Sequence, residues 1–400
     1  MTQAGPGRRE FVTLVALLIS LVALSIDAML PALSAIGRDL GVSGENDRQL
    51  VLTFLFLGLA MAQLFFGPLS DSIGRRPAVF AGLTVFIIGC LVSAFATSFP
   101  MMLAGRFLQG FGAAGPRIVT VAMVRDGYEG RSMAQIMSLV MMVFILVPAL
   151  APGIGQLILI WADWRTIFAF LAALAMAGFA WLALRQPETL APDRRRPFSV
   201  RAIFGAFAET CTHRVAFGYT IAGGFIFGAF VGYLNSAQQI YQETYPTGEL
   251  FAVYFGGIAL SLGLASWVNS RLVMRHGMRR ISMLALAGKV LVSVAALPVA
   301  MTFDGVPPLA PFVAYQIVSF FFVGMLFANF NSLAMEPMGH IAGSASAVIS
   351  SMMTFMSMLF GGLIGQAYDG TVTPMIAGFA VLGSVCLAVM VWIERTRQDD

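Results

Sequence analysis

Charge is scarce in this chain. Asp, Glu, Lys and Arg together make up 11% of its 400 residues, against roughly 25% in soluble domains. Hydrophobic residues reach 58%. A soluble fold of this length cannot hide that much apolar surface, whereas a bilayer is itself an apolar solvent. Cysteine is nearly missing: Cys90, Cys211 and Cys386 are the three, none in a CxxC or similar pair, so no cysteine framework or thiolate metal site is expected. His213, His276 and His340 stand apart near segment ends, without metal-ligand spacing. No cofactor and no metal are expected. A membrane-embedded enzyme would need clustered His, Glu or Asp within its helices, and Asp27 is the clear acid inside an apolar run. An ATP-driven pump would need a G-x-x-x-x-G-K-[ST] loop, which the sequence lacks. The chain is not expected to be an enzyme.

What is present is a series of apolar windows. A spanning helix needs about 20 mostly apolar residues. Twelve windows qualify, at about 11–35, 49–69, 77–97, 100–124, 134–160, 166–184, 215–240, 250–269, 281–302, 309–334, 341–367 and 372–393. Arg8 and Arg9 before the first window imitate a secretory signal, but no small-residue cleavage site follows and the run continues to Ala35. Residues 185–213 interrupt the series with Pro187, Pro192, Pro197 and the run Arg194–Arg196. The expected organisation is an all-α integral membrane protein of twelve helices in two six-helix halves, 1–184 and 214–400, joined by a cytoplasmic linker at 185–213.

Arginine placement gives the orientation. The N-terminus, alternate loops, the linker and the C-terminus hold 18 Arg: 8, 9, 75, 76, 125, 131, 185, 194, 195, 196, 201, 214, 271, 275, 279, 280, 395 and 397. The opposite set holds 3: Arg38, Arg48 and Arg165. Both termini are therefore expected in the cytoplasm. The net charge of +4 is a topology signal, not a nucleic-acid footprint.

The halves carry a weak repeat. Gly67–Pro–Leu–Ser–Asp71–Ser–Ile–Gly74–Arg75–Arg76 follows the second window, and Arg271–Leu–Val–Met–Arg275–His–Gly277–Met–Arg279–Arg280 follows the eighth. Two related halves are a recurring transporter plan. In the first loop, Gly67 and Gly74 are expected to permit a tight turn. Asp71 is placed to accept hydrogen bonds from a nearby arginine or helix end, a conformational latch with Arg75 and Arg76.

This loop resembles the signature loop of the major facilitator superfamily. Arg106–Phe–Leu–Gln109–Gly110–Phe–Gly112–Ala–Ala resembles its fourth-helix motif. Pro148–Ala–Leu–Ala–Pro152–Gly–Ile–Gly155 resembles the fifth-helix element of drug/proton antiporters, in the form used by the bicyclomycin and chloramphenicol resistance branch. Asp27–Ala–Met–Leu–Pro31, Arg125–Asp126, Trp164–Arg165–Thr–Ile–Phe168 and Ala342–Gly–Ser–Ala–Ser–Ala347 fit that branch. Ser72 stands where a basic residue is usual and Gln156 where a second glycine is common. The resemblance implies a monomeric exporter of small drug-like or amphiphilic molecules in a bacterial inner membrane, exchanging them for protons by alternating access. An exporter of one endogenous metabolite on the same fold is the alternative. The partners implied are a small-molecule substrate, protons and the lipid bilayer, with no nucleic acid.

Candidate site residues follow. A charge at the bilayer centre costs about 2.5–3.5 kcal/mol even on insertion scales, so Asp27 must face a cavity, find a partner or be protonated. Burial favours a neutral carboxyl and a neighbouring cation a charged one, which is the competition a proton carrier needs. Arg106 lies at a similar depth, and the resemblance links it to proton coupling. Arg117 falls eleven residues on, about three helical turns, so Arg106, Gly110 and Arg117 are expected to share a stripe facing a cavity or the first helix. Tyr233, Asn235 and Gln238 either contact substrate or form the wet end of the seventh span, and Asn329 and Asn331 in the tenth are similar candidates. Lys289 in the ninth has no partner that the sequence names.

Overall fold

Proline and glycine cut the apolar chain into helices. The computed structural model describes residues 6–397, and among them there is no β-strand. The expected ends of the two halves, residues 1 and 400, lie outside the described residues. The helices are α1 (Arg8–Asp27), α2 (Leu33–Asp39), α3 (Leu50–Ile73), α4 (Arg75–Ala94), α5 (Phe99–Gly127), α6 (Gly130–Trp161) and α7 (Arg165–Arg185). They continue as α8 (Val200–Thr212), α9 (Arg214–Gln239), α10 (Phe251–His276), α11 (Met278–Met301), α12 (Leu309–Met335), α13 (Ala342–Gln366) and α14 (Thr373–Arg397).

Ten stretches among the described residues are long and apolar enough to cross a membrane, against the twelve windows in the sequence. One of the ten, Leu309–Gln366, is 58 residues long and holds both α12 and α13, separated by the 3-10 turn Glu336–Ile341. A shorter apolar segment, Leu146–Trp161, lies in α6. The first window does not form one continuous helix. Helix α1 ends at Asp27, and the chain passes through the 3-10 turn Leu30–Ala32 before resuming as α2. The polar stretch 185–213 contains a thirteen-residue helix, α8.

The helices group into two compact units. The first takes in the chain up to Ser43 and Phe54–Ile203, and the second Gly44–Thr53 and everything from Phe204. Lipid supplies no hydrophobic drive between helices, so close packing depends on small residues. In the first unit, α4 meets α5 along a glycine seam. A β-carbon on Gly89 would stand 2.3 Å from the Gln109 nitrogen, and one on Gly112 would stand 2.2 Å from the Phe86 nitrogen. In the second, Gly224, Gly228 and Gly232 of α9 abut Met356, Phe360 and Ile364 of α13.

Each unit turns sharply at one glycine. Gly74 alone separates α3 from α4 with φ 105°, and Gly277 alone separates α10 from α11 with φ 78°. These are conformations that side chains disfavour. Gly67, expected to share the first turn, sits inside α3, and its carbonyl accepts the Ser70 hydroxyl at 2.8 Å.

Candidate functional site

Asp27 is the last residue of α1. Helical hydrogen bonding would run from residue 31 back to the Asp27 carbonyl, but residue 31 is proline and has no N–H. The Asp-x-x-x-Pro spacing thus ends the helix at the acid. Asp27 is 4% exposed, and no hydrogen bond or ion pair to its carboxyl exists among the described residues. Helix α6 closes over the break: a β-carbon on Gly155 would stand 1.8 Å from the Ala28 carbonyl oxygen. Pro148 and Pro152 lie inside α6, within the two turns before Gly155.

Arg106 on α5 is fully buried, yet it forms no ion pair with Asp27. Its Nη2 donates to the Ser25 carbonyl at 2.8 Å, and Nη1 donates to Gln109 Oε1. Its guanidinium lies over the Phe168 ring of α7, 5.6 Å from the centroid. Arg106 therefore grips the backbone of α1 two residues before the acid. The expected stripe divides. Gly110 is pressed against α3, where a β-carbon would meet the Leu55 carbonyl oxygen at 1.9 Å, and Arg117 is half-buried.

The loop between α3 and α4 is built around Arg75. Its Nη1 donates to Asp71 Oδ1 and, at 2.8 Å, to the Ser70 hydroxyl, while Nε donates to Asp126 Oδ2 at 2.8 Å. The backbone nitrogens of Arg75 and Arg76 donate to the two carboxylate oxygens of Glu188 at 2.9 and 3.0 Å. A distant acid thus caps the first turn of α4, where helix N–H groups have no partner of their own. The Arg76 guanidinium donates to the Ala183 carbonyl. The second unit repeats the plan. Arg279, two residues past Gly277, donates to Glu336 Oε2 at 2.7 Å, and Glu394 lies 3.7 Å from its Nε. The sequence does not mark Asp126 and Glu188 as residues of this loop, because their link to it is tertiary.

In the second unit, Tyr233, Asn235 and Gln238 are buried on α9. The Tyr233 ring stacks on Phe255 at 5.6 Å and meets Phe320 edge-on at 4.6 Å. Gln238 Nε2 donates to Gln242 Oε1 at 3.0 Å. Neither the oxygen nor the nitrogen of the Asn235 amide has a hydrogen-bond partner. The helix then widens into a π-turn, Ile240–Thr244, a form concentrated at functional sites. Asn329 exchanges two hydrogen bonds with Asn269 of α10, at 2.8 and 2.9 Å. Asn331, two residues on, is exposed and faces the other way. Lys289 is fully buried; it donates to the Phe379 carbonyl at 3.3 Å and lies 4.6 Å from that ring's centroid.

Known proteins place this architecture. The chain is 32% identical over 390 residues to the MFS-type transporter YdgK of Bacillus subtilis (strain 168), covering 95% of each. It is 28% identical to the bicyclomycin resistance protein homolog of Haemophilus influenzae (strain ATCC 51907 / DSM 11121 / KW20 / Rd), over 97% of this chain and 96% of that one. The fold matches the human organic anion transporter MFSD10 (TETRAN) with a TM-score of 0.69 at 17% identity, over 97% of this chain and 100% of that one. Residues 15–362 match the Major Facilitator Superfamily. This chain belongs to that superfamily of transporters.

Proposed function

We propose that this protein exports small drug-like or amphiphilic molecules in exchange for protons by alternating access. The reading takes twelve spans in two six-helix halves, 1–184 and 214–400, with a cytoplasmic linker at 185–213. It sets a monomer in a bacterial inner membrane with both termini in the cytoplasm, in keeping with the arginine bias. The observation that carries it is Asp27, a buried carboxyl without a partner at a break in a membrane helix. An intramembrane acid is expensive and functional by default.

In this mechanism Asp27 takes a proton when its cavity opens outward, and its hold on a cationic or polar substrate weakens. Proton loss toward the cytoplasm restores the charge and favours substrate binding. Arg106 acts through the backbone, holding Ser25 and so the position of the break. Asn235 is the best-supported substrate contact, because a buried amide with both atoms unmatched invites a ligand. Tyr233 and Gln238 flank it on α9. Arg117 and Asn331 are further contacts. Asn329, saturated by Asn269, shapes the wall instead. Similarity to the bicyclomycin resistance protein homolog of Haemophilus influenzae supports a drug-like substrate.

The test uses inverted membrane vesicles with an imposed pH gradient, a pH-sensitive dye and a compound panel. Substrate-dependent proton movement with several unrelated compounds is expected. Transport indifferent to the gradient overturns proton exchange, and transport of one compound alone favours a dedicated metabolite exporter.

A further inference from the structure

The segment between α7 and α9 is polar in sequence, yet α8 (Val200–Thr212) carries a buried face and a second, apolar one. Ile203, Ala206 and Thr210, spaced three and four apart, are buried. Val200, Phe204, Phe207 and Cys211, spaced four, three and four apart, form a second stripe. Val200 is 50% exposed, Phe204 69% and Phe207 43%, and Cys211 is half-buried. Phe198, just before the helix, extends the stripe and is also exposed. Such a stripe needs a cover.

Position, length and charge together name the cover. His213 alone separates α8 from α9, a helix long and apolar enough to span a membrane, so the end of α8 is held at a membrane boundary. His340 Nε2 lies 2.6 Å from Glu209 Oε1, and it fixes α8 to the turn between α12 and α13, another point where the chain leaves a spanning helix. Thirteen residues rise only about 20 Å, too short to cross a core of about 30 Å. Arg194 and Arg196 are exposed in the segment leading into α8 and Arg201 in its first turn, while Glu209 is engaged by His340. An exposed apolar stripe on a helix too short to span, preceded by exposed arginines, fits an interfacial helix on anionic lipid.

We propose that α8 lies in the membrane interface, its Val200–Phe204–Phe207–Cys211 stripe among acyl chains and Arg194, Arg196 and Arg201 on anionic headgroups. Only the choice of leaflet rests on the topology proposed above.

The experiment uses the full-length protein reconstituted in phosphatidylcholine vesicles with and without phosphatidylglycerol. A bimane is attached to Cys211, the remaining thiols Cys90 and Cys386 being buried. In a second variant it is attached to Phe204→Cys in a Cys211→Ser background. Nitroxide-labelled lipid should quench both positions several-fold more than aqueous iodide does. In phosphatidylglycerol vesicles, Arg194→Gln, Arg196→Gln and Arg201→Gln together should lower that lipid quenching several-fold. Equal quenching by iodide would place the stripe in water and overturn the proposal. Lipid quenching indifferent to phosphatidylglycerol and to the arginines would overturn the headgroup contact. Shielding that grows with protein density would mean that a second copy is the cover. None of these readings depends on transport, so the proposal stands or falls apart from proton exchange.

Discussion

Gly155 of α6 lies so close to the Ala28 carbonyl that a β-carbon there would stand 1.8 Å from the oxygen. Residue 28 immediately follows Asp27, so the fifth-helix element and the first-helix acid meet at one backbone contact. The obstacle is main chain and cannot rotate aside, so α6 must retreat from α1 in Gly155→Ala. Overpacking of this kind costs typically about 1–3 kcal/mol. The variant should lose thermal stability in detergent and most of its transport in vesicles. Gly257→Ala, at a glycine with nothing within 4 Å of a β-carbon, should change neither. Normal transport by Gly155→Ala would mean that this approach serves packing alone.

Pro31 keeps the Asp27 carbonyl out of the helical ladder. Pro31→Ala supplies the missing N–H and allows α1 to run on toward α2. A restored hydrogen bond is worth about 0.5–1.5 kcal/mol, so the variant should melt at the same temperature or higher. Transport should fall, because the break that positions the acid is lost, a trade of activity for stability. Retained transport together with raised stability would show that the break is incidental.

Arg75 holds two carboxylates in unequal settings. The Asp71 side chain is 42% exposed and the Asp126 side chain 15%. Exposed pairs contribute about 0–1 kcal/mol, whereas a shielded charge-assisted bond contributes about 1.5–3 kcal/mol. Asp126→Asn should therefore destabilise the protein more than Asp71→Asn, although the motif draws attention to Asp71. Asp71→Asn should leave abundance largely intact and reduce transport by weakening the loop's hold. Thermal melts and vesicle transport on the two variants separate these effects. If Asp71→Asn transports normally, the loop serves only to anchor topology.

The single-glycine turns were legible because a positive φ is a local demand. The first-helix break was missed because a hydropathy window counts apolar side chains and not main-chain hydrogen bonds; the proline four residues beyond Asp27 held that information. Glu188 was hidden for another reason: it caps α4 from 113 residues away, which no local pattern encodes. The same holds for Asn269, whose partner Asn329 lies 60 residues on. The stripe of Arg106, Gly110 and Arg117 rests on helical period alone. Period fixes the direction in which each side chain leaves its helix, but not which neighbour it meets: Arg106 reaches α1 and α7, and Gly110 reaches α3. In residues 185–213 the prolines and arginines dominated the composition, and the apolar stripe of α8 was averaged away.

Asp27 is the most exposed prediction, because the proposed exchange depends on one carboxyl. The site offers no fixed countercharge: Arg106 spends its donors on Ser25 and Gln109, and no other cation pairs with the acid among the described residues. In the proposed exchange the charged form is matched by whatever reaches the site, a proton in one half of the cycle and a cationic or polar substrate in the other. Asp27→Asn removes the charge at nearly constant volume and mimics the permanently protonated state. It should insert normally and lose gradient-driven transport of cations, while neutral compounds held by apolar walls are spared. Asp27→Glu keeps the charge but lengthens the side chain by one methylene in a tight site, so it should retain part of the coupling at a lower rate. The measurements are uptake into inverted vesicles under an imposed pH gradient and proton release on adding substrate to purified protein. Full cation transport by Asp27→Asn, with unchanged proton release, would remove Asp27 from the mechanism and turn attention to the acids at the helix ends.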